Sequence, residues 1–355
     1  MNTLFKNQLE QISRREFLQM TRTALLASFW LPILNGINLS HLESVANEKK
    51  LLGRILADRV LVFDQPSLSG KVLKAFQRDL VVPITHITLG DREPTYNRLW
   101  YELNGEGYVH SGSVQPVEIT QNPILSSLPE NGQLGEVTVP FTDTIWNLRR
   151  PDSHAYRLYY STIFWITAIV KDEKGKTWYK IFDDKWNMYY YSEPAHLRPI
   201  DRKEVEPLSP HVPVDEKRIE IRLENQVVIA YEAGNPVFMT RTATGAHFSD
   251  GDYRTPIGDY MTNRKRPSRH MAGGDPAAPT GFDLPGIPWV SYLTKTGISF
   301  HGTYWHNDYG RPRSHGCINL SPTAAKWVYR WCLPVVPFSE PFFDAETGTS
   351  VKVVN

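Results

Sequence analysis

The stretch that decides the fold lies in the last third of the chain, where residues 298–320 read ISFHGTYWHNDYGRPRSHGCINL. Its start, residues 298–300, has the apolar pattern of a buried strand that ends at His301. Cys317 stands near the other end of the stretch, and Ser321-Pro322 follows with an N-cap residue and a proline suited to the first helical position. We therefore expect Cys317 to lie on a turn shortly before the N-terminus of a helix.

A cysteine in this setting is a candidate nucleophile. Backbone N–H groups and the dipole at a helix N-terminus stabilise negative charge, so the predicted turn favours a thiolate. An imidazole accepts the thiol proton near neutral pH, and His301, His306 and His315 are close to Cys317 in sequence. We expect an oxyanion hole at the backbone N–H groups of Gly316 and Cys317, because Gly316 has no side chain to block the approach.

The same residues are also compatible with a zinc site or with a purely structural role. His301, His306, His315 and Cys317 have the ligand chemistry of a tetrahedral zinc site. The spacing is poor for zinc, because it contains neither a C-x-x-C nor an H-x-x-x-H pair, and His315 and Cys317 on one turn would strain a shared ion. In the structural role, the cysteine is buried and the histidines are hydrogen-bonded.

The motif resembles a known signature. His301-Gly302 and residues 314–319 (SHGCIN) are similar to the H-x(n)-[S/T]-H-G-C-x-[R/N] pattern of L,D-transpeptidases, the cysteine enzymes that cross-link peptidoglycan. Upstream, Thr244-Gly245 and residues 255–260 (TPIGDY) resemble the T-G and T-P-x-G-x-[F/Y] elements of that family, in the same order. The joint pattern is far more restrictive than H-G-C alone.

The resemblance implies roles for individual residues. Cys317 would be the nucleophile and His301 the base, with the carbonyl of Gly302 orienting the imidazole. Ser314, His315 and Gly316 would support the oxyanion-binding turn. Substrate contacts are expected from Arg313, towards a carboxylate, and from cleft walls at Tyr292, Tyr304 and Trp305, although packing explains each of these four equally well. No metal and no cofactor are predicted.

The implied function is that of an exported L,D-transpeptidase. It would form 3→3 peptidoglycan cross-links through a Cys317 thioester, with release of D-Ala, and its partners would be peptidoglycan stem peptides. One alternative is an L,D-carboxypeptidase that hydrolyses the same bond. The other is a non-catalytic cell-wall-binding protein with an inactive catalytic domain.

The rest of the chain predicts a mainly β protein. Two segments share a Trp-Tyr strand followed by a closing x-Pro segment, at residues 100–117 and 178–200, and both resemble bacterial SH3-like domains. We expect one such barrel at residues 52–118, a divergent second one at 133–201, and a proline-rich linker without core residues at 202–214. The alternating pattern from Ile219 onward predicts a β-sandwich-like catalytic domain at 215–355, with a short helix after the cysteine motif.

The first 46 residues predict an export signal. Ser13-Arg14-Arg15-Glu16-Phe17-Leu18 precedes a short apolar run, residues 24–34, and resembles the twin-arginine export signal. The run is shorter than the roughly 18 residues of a default membrane span, so membrane contact would be transient. Residues 44–46 (SVA) suit cleavage. We expect the protein to be exported by the twin-arginine route to the cell wall or periplasm.

The amino-acid composition limits the class of protein and the kinds of partner that are expected. The chain is 41% hydrophobic and 22% charged, which excludes a disordered protein. Without residues 1–46 the acidic and basic side chains are equal in number, which argues against a nucleic-acid partner. The one dense basic stretch, Arg264-Lys265-Arg266 with Arg269 and His270, is expected to be a solvated loop rather than its alternative, a site for anionic substrate groups. The second cysteine, Cys332, is expected to be buried and not bonded to Cys317.

Overall fold

The computed structural model describes residues 51–274 and 281–355. The predicted export signal at residues 1–46 lies outside them. The described residues are mainly β, and a short helix follows the cysteine motif, so the predicted fold class is confirmed. No helix in the described ranges is long and apolar enough to cross a membrane.

The first module, residues 51–117, is built from two small sheets around one apolar core. Its strands are β1 (Leu51–Ile55), β2 (Val60–Phe63), β3 (Val72–Phe76), β4 (Val81–Ile84), β5 (His86–Leu89), β6 (Leu99–Glu102), β7 (Tyr108–His110) and β8 (Val114–Val117). The sheet orders are β4-β1-β8 and β3-β2-β7-β6-β5. The shared core includes Ile55, Val62 and Tyr101. The SH3-like nature of this module stays a prediction.

The second module, residues 133–199, forms one seven-stranded sheet in the order β11-β10-β14-β13-β12-β9-β15. Its strands are β9 (Gln133–Val137), β10 (Phe141–Asn147), β11 (Arg150–Tyr159), β12 (Ile163–Lys171), β13 (Thr177–Asp183), β14 (Met188–Ser192) and β15 (Leu197–Pro199). The two similar sequence segments take similar structures, since each module has a 3₁₀ turn before its last strand, Ser111–Ser113 and Pro194–His196. Tyr101 and Tyr179, which follow the repeated Trp, are both buried.

The predicted linker is fastened to the rest of the protein. It contains 3₁₀ turns at Arg202–Val205 and Val214–Glu216. Glu204 accepts a hydrogen bond from Lys326 at 2.9 Å, while Val205 and Leu208 pack against the core of the sheet that follows. The expectation that this segment contributes no core residues is wrong, because two apolar side chains among its prolines and charges are enough to dock it.

The third part holds an eight-stranded sheet in the order β18-β17-β16-β25-β21-β22-β23-β24 and a separate hairpin of β19 and β20. Its elements are β16 (Lys217–Arg222), β17 (Val227–Glu232), β18 (Asn235–Arg241), β19 (His247–Phe248), β20 (Gly251–Asp252), β21 (Gly258–Gly273), β22 (Phe282–Tyr292), β23 (Ser299–Gly302), β24 (Ile318–Leu320), α1 (Pro322–Trp331) and β25 (Phe343–Val354). The predicted antiparallel meander is β16 to β18.

Local sequence explains the main elements of this sheet. In β16 the side chains of Ile219 and Ile221 are buried and their neighbours are more exposed, as period-2 alternation requires. Helix α1 begins as predicted, since Ser321 Oγ accepts the backbone N–H of Ala324 at 3.2 Å and Pro322 is the first helical residue. The apolar core below the helix continues into the second module through Leu134, Ile163 and Trp165, and it includes Ile200 just after that module. The predicted domain boundaries stay predictions.

The basic stretch at 264–270 is part of strand β21, not a loop. Lys265 is fully buried, and its ammonium group donates to the carbonyl oxygens of Tyr329, Cys332 and Pro334 at the end of α1. Arg266 and Arg269 pair with the carboxylate of Asp184, and His270 contacts the carboxylates of Asp183 and Asp283. The expectation of a solvated loop is wrong, because the stretch is a strand in which Lys265 and His270 are buried and carbonyl or carboxylate groups pair with the cations.

Candidate active site

A parallel strand pair brings the two ends of the decisive stretch together. Strands β23 and β24 pair with Phe300 opposite Ile318 and His301 opposite Asn319. Ser299 and Cys317 immediately precede the first of these pairs, and Ser299 Oγ lies 3.8 Å from Cys317 Sγ. Because alternate residues of a strand share a face, Ser299, His301 and Cys317 lie on one face of the sheet.

The Cys317 side chain is a free thiol in a half-buried position. Its sulfur also lies 3.7 Å from the carbonyl oxygen of Gly297. Burial raises the pKa of this thiol, and hydrogen bonding from the backbone and side chain of Ser299 opposes the rise. The predicted help from a helix N-terminus is wrong, since β24 separates Cys317 from the cap of α1 and the dipole effect fades within one turn. The resting group is therefore a protonated thiol.

His301 is buried in a setting that keeps it neutral. Its Nδ1 lies 3.1 Å from the carbonyl oxygen of Gly302, and because a carbonyl only accepts, Nδ1 carries the proton. Burial lowers the pKa of His301 to about 4. Nε2 thus holds a free lone pair at neutral pH. Within residues 51–274 and 281–355 no hydrogen bond joins this ring to the Cys317 sulfur.

The turn before the cysteine is held together by Ser314. Its hydroxyl donates to the carbonyl of Cys317 at 2.6 Å and accepts the backbone N–H of Gly316 at 3.1 Å. Gly316 has a φ of +112°, a conformation that favours glycine. The Gly316 N–H, one of the two expected oxyanion donors, is therefore already used inside the turn. The exposed His315 ring packs on Phe248 at 4.8 Å between ring centres.

A further residue, Thr255, supports this turn through two hydrogen bonds, and no role for it was predicted from the sequence. Thr255 Oγ1 donates to the carbonyl of Gly316 at 2.8 Å and accepts the backbone N–H of Gly245 at 2.9 Å. A side chain at Gly245 would meet the carbonyl oxygen of Tyr253 at 2.0 Å, so only glycine fits there. The T-G and T-P blocks had marked these positions, but no role followed from the sequence.

The aromatic substrate candidates separate into two groups. Trp305 is half-buried, and its ring centre lies 5.8 Å from that of His301, so it adjoins the candidate base. Tyr304 is buried and stacks on Tyr159 of the second module at 5.2 Å. Tyr292 is buried too, under the guanidinium of Arg264. Trp305 is thus the aromatic candidate beside the reacting groups, and the two tyrosines pack inside the protein.

Arg313 already has an acidic partner. Its Nη1 donates to Asp308 Oδ2 at 2.7 Å, and Asp308 is a buried carboxylate. His306, the third histidine of the stretch, uses Nδ1 to accept the Asp308 N–H at 3.3 Å, while its Nε2 lies 2.9 Å from Asn319 Nδ2. In the described part of the chain no three His, Cys, Asp or Glu side chains are placed to hold a metal ion.

Part of the chain matches the model of a known protein family. Residues 216–353 match the model of the YkuD family, the L,D-transpeptidase catalytic domain, so the resemblance seen in the motifs is confirmed for this part of the chain. No match was found among curated proteins.

Solved structures similar to the chain include three L,D-transpeptidases. A cysteine-to-serine mutant from Enterococcus faecium has 23% identity and a TM-score of 0.31, with 40% of this chain and 50% of that chain covered. The catalytic domain from E. faecium has 26% identity and a TM-score of 0.30, with 39% and 96% covered. The enzyme from Mycobacterium smegmatis has 16% identity and a TM-score of 0.33, with 54% and 90% covered. The match to the first of these spans half of that chain's length.

Proposed function

We propose that the chain is a peptidoglycan L,D-transpeptidase, on the premise that residues 216–353 carry an L,D-transpeptidase catalytic domain. The observation that carries the proposal is the placement of Cys317, Ser299 and His301 on one face of a parallel strand pair. A thiol and a neutral imidazole on one surface are the nucleophile and the base that cysteine acyl transfer requires.

Acylation follows from this arrangement. Nε2 of His301 accepts the thiol proton of Cys317 as the substrate closes the gap between the two side chains, since catalytic hydrogen bonds often tighten only in the complex. The sulfur attacks the carbonyl that joins the L-centred diamino acid of a tetrapeptide stem to D-Ala. A C–S bond forms, the C–N bond breaks, and the imidazolium returns its proton to the amine of the leaving D-Ala. The product is a thioester on Cys317.

The second half of the reaction releases the enzyme. A side-chain amine of a neighbouring stem attacks the thioester and His301 takes the proton of that amine. The C–S bond breaks as the new amide forms, and the imidazolium gives the proton to the leaving sulfur. The product is a 3→3 cross-link and the restored thiol. Water in place of the amine gives a free acid, which is the L,D-carboxypeptidase outcome.

Export and wall location belong to the same proposal. A substrate in the cell wall requires passage across the cytoplasmic membrane, and the twin-arginine pattern at residues 13–18 supplies a route. The modules at 51–117 and 133–199 are proposed to be SH3-like. A mature N-terminus near Asn47, measured on secreted protein, supports this part, and a protein retained in the cytoplasm contradicts it.

The proposal is tested by intact-mass analysis with a tetrapeptide stem. Wild-type protein is expected to gain the mass of the stem without its D-Ala, and Cys317→Ala is expected to gain nothing. Cys332→Ala is the matched control, because Cys332 is a buried free thiol whose sulfur lies 3.6 Å from the hydroxyl of Ser291, away from Cys317. An adduct on Cys317→Ala, or its loss only in Cys332→Ala, contradicts the assignment of the nucleophile.

A further inference from the structure

One irregular segment links the two halves of the site. Residues 303–313, here called the connecting loop, run from the strand that carries His301 to the turn that carries Cys317. They form neither helix nor strand, so their position depends on contacts made elsewhere. Both ends of the loop reach the candidate catalytic residues.

The first module holds the middle of the connecting loop through Asn307. The backbone N–H of Asn307 donates to the carbonyl of Gly112 at 3.2 Å. Its side-chain amide donates to the carbonyls of Ser111 at 3.3 Å and Val114 at 3.2 Å, and lies 3.5 Å from the hydroxyl of Tyr101. The approach is close, since a side chain at Gly112 would come within 2.4 Å of the next residue of the loop.

A second contact holds the loop near its start. The guanidinium of Arg54, buried in the first module, donates to the carbonyl of Tyr304. The same group is fixed by Asp79 at 2.8 Å and by Gln115 at 2.8 Å. Because its carboxylate and amide partners set its orientation, Arg54 presents its remaining N–H to the loop in one geometry.

The residues beside Asn307 carry these contacts to the site. His306 lies against Asn319, two residues beyond Cys317. Asp308 pairs with Arg313, next to the nucleophile turn, and Trp305 adjoins the His301 ring. A displacement of Asn307 would therefore shift residues that contact His301 and residues that contact the turn before Cys317.

We propose that the first module positions the connecting loop for catalysis, with Asn307 as the positioning residue. This inference rests on the proposed function. It assigns the first module a direct part in the reaction, through the shape of the site, and it needs no ligand on that module. A merely structural contact between the two parts would stabilise the fold and leave the reaction rate unchanged.

The test compares Asn307→Ala with Asn122→Ala in the full chain. Asn122 is a matched control, because its side-chain amide also faces three acceptors, on Thr120, Thr138 and Ala195, away from the connecting loop. For Asn307→Ala we expect acylation at saturating tetrapeptide to slow by about 10- to 100-fold, with KM within a factor of about two, as misplaced groups do. Asn307→Asp keeps the volume but sets a carboxylate oxygen against the carbonyls of Ser111 and Val114, so it is expected to slow acylation at least as much.

Amide hydrogen exchange separates this inference from the proposed function. Faster exchange at residues 303–313 is expected in Asn307→Ala and not in Asn122→Ala, whether or not the protein turns over a stem peptide. Wild-type acylation rates in Asn307→Ala, or unchanged exchange in the loop, overturn the inference. Equal rate losses in both variants, in step with their thermal stability, also overturn it. A wild-type protein that no stem acylates contradicts the proposed function alone.

Discussion

The first prediction concerns Thr255, whose hydroxyl joins the turn before Cys317 to Gly245, and the variant is Thr255→Val. This change keeps the shape of the side chain and removes the hydroxyl that joins Gly316 to Gly245. Both partners are backbone groups in the interior, and Thr255 itself is buried. The turn keeps its chain connectivity but loses the one side-chain hydrogen bond to the Gly316 carbonyl among the described residues.

The magnitude follows from the two groups left without a partner. A buried polar group that loses its hydrogen bond costs about 1–3 kcal/mol, so the pair predicts a loss of about 2–6 kcal/mol in the free energy of unfolding. Because the freed carbonyl belongs to the residue before Cys317, we also expect slower alkylation or acylation of that thiol.

The assay is urea unfolding followed by circular dichroism, together with the acylation rate of Cys317. Thr167→Val is the control, since Thr167 is exposed on β12 and makes a single hydrogen bond, to the Lys180 carbonyl. That control should change stability by less than about 0.5 kcal/mol. If Thr255→Val is as stable and as reactive as Thr167→Val, the hydrogen bonds of the Thr255 hydroxyl do not support the turn and the reasoning is refuted.

Three further predictions concern charge. Ser299→Ala removes hydroxyl hydrogen bonding that opposes the burial-raised pKa of Cys317, so the pH profile of iodoacetamide alkylation should move to higher pH; an unmoved profile contradicts this. Burial lowers the pKa of His301 to about 4. Below pH 6.5 this residue is therefore protonated in the unfolded chain but still neutral in the folded protein, and the free energy of unfolding decreases as the pH is lowered. Between pH 7 and pH 5 wild type should lose about 2 kcal/mol more than His301→Gln in urea unfolding, and equal losses contradict this. Although burial acts against it, ion pairing to Arg198 and Lys326 holds the pKa of Glu204 at about 2, so this stabilisation is present above pH 4.5 and lost towards pH 2. Glu204→Gln should lower the stability at pH 7 by about 1 kcal/mol, after allowance for solvent screening, and an unchanged midpoint contradicts this.

Features set by neighbouring residues could be predicted from the sequence. The start of α1 depends on Ser321 and Pro322 alone, and the alternation of Ile219 and Ile221 shows which face of β16 is buried. The motif blocks pointed to the family because their residue types and order are restrictive. Each of these inferences uses information that a short window of sequence contains.

Features set by distant contacts could not be predicted. The position of Ser299 beside Cys317 depends on a parallel register between two strands that are joined by an irregular loop. The direction in which the pKa of Cys317 shifts depends on burial, which a short window of sequence does not show. The charge of Lys265 predicted a side chain exposed to solvent, but the fold surrounds its ammonium group with three backbone carbonyl oxygens. In each case the deciding group lies far away along the chain.

The most direct test of the central claim is product analysis on a defined tetrapeptide stem with the wild-type chain and Cys317→Ala. Wild type is expected to release D-Ala and to form the 3→3 cross-linked dimer through the diamino acid, and the variant is expected to form neither product. Release of D-Ala without dimer, even with added amine acceptor, would instead favour hydrolysis. Dimer formation by Cys317→Ala, or cleavage of a different bond by wild type, would contradict the account.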